Sequence, residues 1–277
     1  MGGPGDHSPA HPSREASTSI VTEPILASRN LTKEFGALIA VNDVSISITP
    51  GTLHSVIGPN GAGKTTLFNL LSGTLKPTSG HVFHNGADIT NDPVYRMIHM
   101  GIGRSFQITN IFPLLTVLEN VRLAAQAVGS DDMKFWKPTS AFPGSIDRAQ
   151  AVLEDVGLDG DAAKLAKALP HGDQRKLELA MILAPDPEVL LLDEPTAGMA
   201  SEQVPELMNL IARIQSSGDK TVVLVEHNMN VVMSASDEIT VMHQGAVLAE
   251  GTPSEIADNP TVQEAYLGSL YDEEGDG

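Results

Sequence analysis

The chain contains no cysteine among its 277 residues. Disulfides, iron–sulfur clusters and thiolate zinc sites are therefore excluded, and the composition fits a reducing compartment. Long apolar runs are missing too: none approaches the ~20 residues that cross a bilayer, and the N-terminus lacks the apolar centre of a signal peptide, so a cytosolic protein is expected. Positive charge is scarce. Seventeen Lys and Arg stand against 35 Asp and Glu, a formal charge of −18 that repels DNA, RNA and anionic headgroups at long range and makes nucleic acid an unfavourable partner. Either a high-salt cytoplasm, where ions screen this self-repulsion, or a merely acidic surface accounts for the imbalance. Aromatics make up 4% of the chain, and Phe135, Trp136 and Phe142 form its one dense patch; packing is the favoured use of this patch, contact with a membrane partner the other.

What is present begins with 41% apolar residues in periodic segments, enough to bury one large core with subdomains. The sequence is organised around Gly58-Pro59-Asn60-Gly61-Ala62-Gly63-Lys64-Thr65-Thr66. This GxxxxGK[ST] pattern follows the apolar run Leu53 to Ile57 and opens a helix-like segment, Lys64 to Leu71, which is the strand–loop–helix setting of a phosphate cradle. Glycines let the backbone wrap an anion with its N–H groups pointing inward, and the helix N-terminus adds partial positive charge. In such a cradle Lys64 reaches the β- and γ-phosphates and Thr65 offers its hydroxyl to Mg²⁺, so the expected ligand is a nucleoside triphosphate with magnesium.

Along the chain, residues 1–23 are rich in Gly, Pro, Ser and Thr and predict a disordered tail, with His7 and His11 solvated. Val44, Ile46 and Ile48 alternate with polar residues at the period of a half-buried strand, and Pro50-Gly51 turns the chain. Asn85-Gly86 between His81–His84 and Asp88-Ile89 predicts a hairpin, so antiparallel strands surround the cradle. From about 92 to 185 the spacing becomes helical and predicts an inserted helical subdomain. Val189 to Leu192 is a fully buried strand ending in Asp193-Glu194, and a carboxylate pair at the carboxyl end of such a strand lies where an open α/β sheet does its chemistry. A helix with Val204, Leu207, Met208, Leu210, Ile211 and Ile214 on one face follows, then the strand Thr221 to Val225, ending in Glu226-His227. This strand–helix–strand order implies parallel pairing.

With the cradle, Gln107, Leu169-Pro170-His171-Gly172-Asp173-Gln174-Arg175, Val189 to Pro195 and His227 in this order, the sequence resembles the ATPase subunit of ABC transporters over roughly residues 25–270. The resemblance implies an α/β P-loop NTPase of ABC type: a mostly parallel core sheet, an antiparallel β subdomain and the inserted helical subdomain, spanning 24–270 with an acidic tail at 271–277. It implies that Phe35 stacks on adenine, where its π-face suffices, although packing beside Leu31 and Leu38 is the other use of that ring. It implies Asp193 as a ligand of Mg²⁺, Glu194 as acceptor of a proton from the attacking water, and His227 as the group that orients that water beside the γ-phosphate. Gln107 would link metal and water to the helical subdomain. Pro170, His171, Gly172, Asp173 and Gln174 correspond to the signature, whose amides face the ATP held by a second subunit.

Departures are visible. Pro170 stands where a Ser is frequent and removes a hydroxyl donor, His171 replaces a Gly, and Ala200 occupies a position often held by Asp or Asn. More narrowly, Val117-Leu118-Glu119-Asn120-Val121, Lys176-Leu177-Glu178-Leu179-Ala180, Glu194-Pro195-Thr196-Ala197-Gly198 and Ala265-Tyr266-Leu267-Gly268 are similar to the ATPases of branched-chain amino-acid importers and their amide and urea relatives. The function implied is an ATPase that powers such an importer at the inner face of the membrane. Its partners would be a second ATPase subunit, two membrane permease subunits and, indirectly, a substrate-binding protein. A soluble ABC ATPase of translation or DNA maintenance would show two cassettes or a long heptad insertion, and neither pattern occurs here.

Overall fold

The computed structural model describes residues 23–105, 111–127, 143–217 and 219–273. Gln107, the trio Phe135, Trp136 and Phe142, and the 1–22 part of the expected tail lie outside them. The chain opens with β1 (Leu26–Phe35), β2 (Leu38–Val44), β3 (Ser47–Ile48) and β4 (Leu53–Ile57), followed by α1 (Lys64–Leu71) and the hairpin β5 (Ser79–His84) and β6 (Ala87–Asp88). Then come α2 (Val94–His99), β7 (Ile102–Arg104), α3 (Val117–Gln126), α4 (Pro143–Val156) and α5 (His171–Leu183). The rest alternates: β8 (Val189–Asp193), α6 (Val204–Ser216), β9 (Thr221–Val225), α7 (Met229–Ala235), β10 (Glu238–His243), β11 (Ala246–Gly251), α8 (Pro253–Ala257) and α9 (Pro260–Glu273).

Two sheets result. The core sheet has the order β11-β10-β4-β9-β8-β7, parallel throughout except that β11 runs antiparallel to β10. Its central strands are buried on both faces, which is why they consist of continuous apolar runs. Alternate side chains go to opposite sides: Leu190, Leu192, Val222 and Leu224 pack with α3 to α6, whereas Val189, Leu191, Val223 and Val225 pack with α1 and the antiparallel sheet. In that second sheet β1 pairs with β2, β3 and β5, all antiparallel. The hairpin at Asn85-Gly86 forms as its sequence demands, with φ of 48° and 75°, the paired positive values of a type I′ turn. Val44, Ile46 and Ile48 are buried and Ser45 and Ser47 exposed, but the run is split between two strands: Val44 ends β2 opposite Leu31, Ser47–Ile48 forms β3, and between them the Ile46 amide donates to the Ser28 hydroxyl at 3.2 Å.

The helical portion is built on α3, α4 and α5. Ala149, Val152, Leu153 and Val156 form the buried stripe of α4, and Thr116 caps α3 by accepting from the Glu119 amide. The fully buried Asn120 is satisfied by Phe112 and Thr116 backbone groups. One stretch departs from the helical expectation at 92–185: Ile102–Arg104 is an edge strand of the core sheet, parallel to β8. Three residues around Gly103 carry no readable period, and a Cβ at Gly103 would lie 2.8 Å from Ile182, so the tight fit of this strand is a tertiary fact. At the other end α9 runs through Asp272 and Glu273, so the helix enters the stretch expected as a solvated tail.

Candidate functional site

The cradle joins β4 to α1, and two of its glycines are needed by their neighbours. Gly58 has φ of 151° and an added Cβ would sit 2.2 Å from the Met242 carbonyl on β10; Gly63 has φ of 97° and its Cβ would sit 2.3 Å from the Ala40 carbonyl on β2. The cradle is thus wedged between both sheets. The Gly245 amide donates to the Ala62 carbonyl at 3.1 Å, and the Gly245 carbonyl accepts from Asn42, so the β10–β11 turn ties the loop to β2. Helix α1 begins at Lys64 without a side-chain cap. Its first amides are those that an anion would satisfy.

Lys64 is 8% exposed and donates to the Gly58 carbonyl at 2.7 Å and the Pro59 carbonyl at 3.0 Å. Burial holds its pKa below the ordinary lysine value, while Glu194 and Asp193 oppose that shift. Asp193, at the end of β8, is 3% exposed, and neither carboxylate oxygen has a hydrogen-bond partner. Burial first, then the Glu194 charge, push its pKa up to about 6, against Arg104 and Lys64. An anionic side chain buried with both oxygens unsatisfied is costly unless a cation joins it. A hard cation with oxygen preference fits, and the half-buried Thr65 hydroxyl at the start of α1 is the second donor.

Glu194 adopts φ of 48°, held by its amide donating to the Val225 carbonyl at 2.9 Å. This bond joins the end of β8 to the end of β9. It brings Glu194, whose side chain is 33% exposed, within 3.8 Å of the His227 Nδ1. Beside them a cleft of about 540 Å³ is lined by Thr196, Gly198, Met199, His227 and Asn228, among others. Thr66, Asn60 and Gly61 complete the cradle, with Asn60 and Gly61 exposed and Ala62 buried.

The structure brings Lys64, Asp193, Glu194 and His227 together at the carboxyl ends of β4, β8 and β9. Phe35 keeps a face in solvent, 49% exposed, and pairs with Leu38 across the β1–β2 turn, whose Ile39 and Ala40 carbonyls abut Gly245 and Gly63. Core packing is thereby the lesser use of that ring. The signature stretch lies beside the loop that follows Glu194: Arg175 donates to the Ala197 carbonyl at 3.1 Å and a Cβ on Gly198 would lie 3.7 Å from the His171 ring, while Pro170 and His171 are exposed at the start of α5, Gly172 is buried against Gln203, Gln174 donates to the Leu169 carbonyl at 2.9 Å, and Asp173 pairs with Lys176.

Three residues at this site escape reading by sequence alone. Glu226 is fully buried and accepts from the Thr196 amide and hydroxyl at 3.2 and 2.6 Å and from the His227 amide at 3.3 Å, so it clamps the loop after Glu194 to His227. Its signal in the sequence is an acid directly after a buried run, the position that Asp193 holds at the end of β8. Ser105 accepts from the Asp193 amide at 2.8 Å, and Arg104 donates to Asn69 and the Ser72 hydroxyl, both at 2.5 Å, and to the Thr74 hydroxyl.

Comparison with known proteins identifies the family. The ABC transporter family model matches residues 41–197, and a family described as branched-chain amino acid ATP-binding cassette transporter matches residues 246–271. The chain is 42% identical over 253 residues to the high-affinity branched-chain amino acid transport ATP-binding protein LivG of Salmonella typhimurium, covering 90% of this chain and 99% of that protein. It is 41% identical to BraF of Pseudomonas aeruginosa over 253 residues, covering 90% of this chain and 99% of that protein. Among solved structures, the ADP conformation of an ATP-binding cassette of an ABC transporter superposes with a TM-score of 0.79 at 30% identity, covering 89% of this chain and 100% of that one. A dimeric cassette in a post-hydrolysis state with ADP and Pi gives 0.70 at 30% identity, covering 82% of this chain and 98% of that one. With a wedged phosphate cradle, a buried acid and an exposed Glu–His pair at the strand ends, the chain belongs to the ABC transporter family and is one of its ATP-hydrolysing cassettes.

Proposed function

We propose that this cassette powers an importer of branched-chain amino acids from the cytoplasmic face of the membrane, working through separate membrane subunits and paired with a second cassette. The cargo reading is supported by the match at residues 246–271 and by the names of the relatives. The observation that carries the chemistry is the cluster of Lys64, unpartnered Asp193, Glu194 and His227 at one edge of the parallel sheet.

ATP is the substrate. Its triphosphate lies in the amides of 61–66 with Lys64 moving from the Gly58 and Pro59 carbonyls to the β- and γ-phosphates, and its adenine stacks on Phe35. Asp193 and Thr65, with Gln107, would hold Mg²⁺, which supplies charge neutralisation to the phosphates. Glu194 accepts a proton from the water that attacks the γ-phosphorus as the bond to the leaving oxygen breaks. His227 orients that water and donates to the departing phosphate. The first turn of α5, from Pro170 to Gln174, with Pro170 and His171 exposed, faces the ATP of the second cassette, a reading supported by a dimeric structural neighbour.

Capture of the tagged chain from membranes of its source tests the assignment. Two integral membrane proteins and a second cassette should co-purify, with ATP turnover stimulated by a branched-chain amino acid and its binding protein. Recovery only with ribosomes or DNA overturns it.

A further inference from the structure

The ends of β8 and β9 are joined twice. Asp193 and Val225 stand opposite each other in the parallel register, and one residue on the Glu194 amide donates to the Val225 carbonyl at 2.9 Å. The second tie is the Glu226 carboxylate, whose Oε1 accepts from the Thr196 hydroxyl at 2.6 Å and the Thr196 amide at 3.2 Å, and whose Oε2 accepts from the His227 amide at 3.3 Å. Glu194 therefore lies between two fixed points. Pro195 has no N–H to offer, so the Thr196 amide is the first after Glu194 that can be held, and Glu226 holds it. Glu226 is fully buried, and the groups bonded to its carboxylate are all donors. An apolar side chain would leave them unsatisfied and an amide would set its own N–H against one of them, whereas a carboxylate accepts on both oxygens.

We propose that Glu226 is a positioning residue for ATP hydrolysis: with one oxygen on the segment that follows Glu194 and the other on the His227 backbone, its carboxylate fixes the separation of these two side chains, 3.8 Å between Oε1 of Glu194 and Nδ1 of His227. A water held between the proton acceptor and the γ-phosphorus needs both groups at once, and a misplacement of about 1 Å can lower a rate by about 100-fold. The Glu194 and His227 side chains are 33% and 62% exposed, so neighbouring contacts constrain them less than the backbone that carries them does. The cradle, on β4 and α1, shares none of the three hydrogen bonds to Glu226. Loss of this anchor therefore reaches turnover and spares nucleotide binding.

The proposal rests on Glu194 and His227 serving hydrolysis, and His227→Ala alone tests that separately: a parental rate there removes the reading of the site before the role of Glu226 is reached. Full-length Glu226→Gln, Thr196→Val and Thr196→Ser are compared with the parent for kcat, KM, ATP affinity by calorimetry and Tm. Glu226→Gln should lower kcat by about 10-fold, with KM and affinity within about twofold. In a His227→Ala background the same change should lower the single-turnover rate by less than about threefold, because one of the two groups it spaces is gone. A merely stabilising clamp would lower Tm in both backgrounds and give no such dependence on His227. Thr196→Val should slow hydrolysis likewise, and Thr196→Ser, which restores the hydroxyl, should recover most of the lost rate; this pair decides the matter if Glu226→Gln folds poorly. Parental kcat in Glu226→Gln or Thr196→Val, an undiminished loss in the absence of His227, or Thr196→Ser as slow as Thr196→Val overturns the proposal.

Discussion

Replacing Glu194 by Gln separates binding from chemistry, and the structure bounds what else changes. The backbone at 194 is held in its left-handed conformation by the amide bond to the Val225 carbonyl at 2.9 Å, which the substitution leaves in place. Gln has the shape of Glu and meets the same φ, so Tm should move by no more than about 2 °C, corresponding to about 1 kcal/mol at most. Electrostatics shift in a defined direction. Glu194 is one of the charges that raise the Asp193 pKa to about 6, so removing it lets Asp193 ionise more completely at neutral pH. Binding of Mg·ATP should therefore be retained or tightened. Hydrolysis loses its proton acceptor and should fall by about 10²–10⁴-fold, roughly 3–5 kcal/mol of barrier. ATP-bound dimers should accumulate, because the step that opens them is lost. The assay is single-turnover release of phosphate beside light scattering with ATP. Parental turnover in Glu194→Gln refutes the assignment and shifts the proton to His227 or to the substrate.

Lys64→Ala should act differently, lowering ATP affinity and turnover together by roughly 10–100-fold, since a charge-assisted contact to phosphate is lost; equilibrium binding and steady-state rates check it. Glu226→Ala strips the acceptor from the Thr196 amide and hydroxyl and the His227 amide. Its expected cost is roughly 3–5 kcal/mol, or about 6–10 °C in Tm, and a shift within 2 °C would show that the clamp is not stabilising. His54 predicts a pH dependence: it is 3% exposed, bonded at 2.7 Å to Thr240, and burial lowers its pKa below 6.5 against the opposing charge of Glu238. The unfolded imidazole takes its proton near 6.5 and the folded one only at lower pH, so this contribution to stability is complete above about 6.5 and lost on acidification. Urea midpoints from pH 7.5 to 5.5 should decline more steeply for the parent than for His54→Gln. Finally, if the charge of −18 belongs to a high-salt cytoplasm, Tm should rise markedly between dilute buffer and molar KCl; a flat response leaves plain acidic surface composition.

Much of this protein is written locally. The phosphate cradle needs glycines where the backbone turns left-handed and a lysine at the helix start, and these are adjacent in sequence, so Gly58 to Thr66 declare the ligand without a fold. The runs at 53–57, 189–193 and 221–225 are apolar at every position, which only a sheet covered on both faces tolerates, so the parallel core was equally plain. The Asn85-Gly86 turn followed from backbone chirality alone.

What tertiary structure decided are contacts between residues far apart in the chain. No spacing shows that Glu226 reaches back 30 residues to Thr196, or that Ile102–Arg104 joins the sheet edge. The exposure of Phe35 depends on how the β1–β2 turn lies against Gly63 and Gly245, and an aromatic beside leucines reads the same buried or free. Asp193 gains its raised pKa from burial first and then from the charge of Glu194 beside it, with Arg104 and Lys64 pulling the other way, and neither the burial nor the approach of Arg104 and Lys64 is set by local sequence. Sequence periodicity records which face of an element is buried, whereas the identity of what buries it is set by loop closure and packing among elements, and that information exists only once the chain has folded.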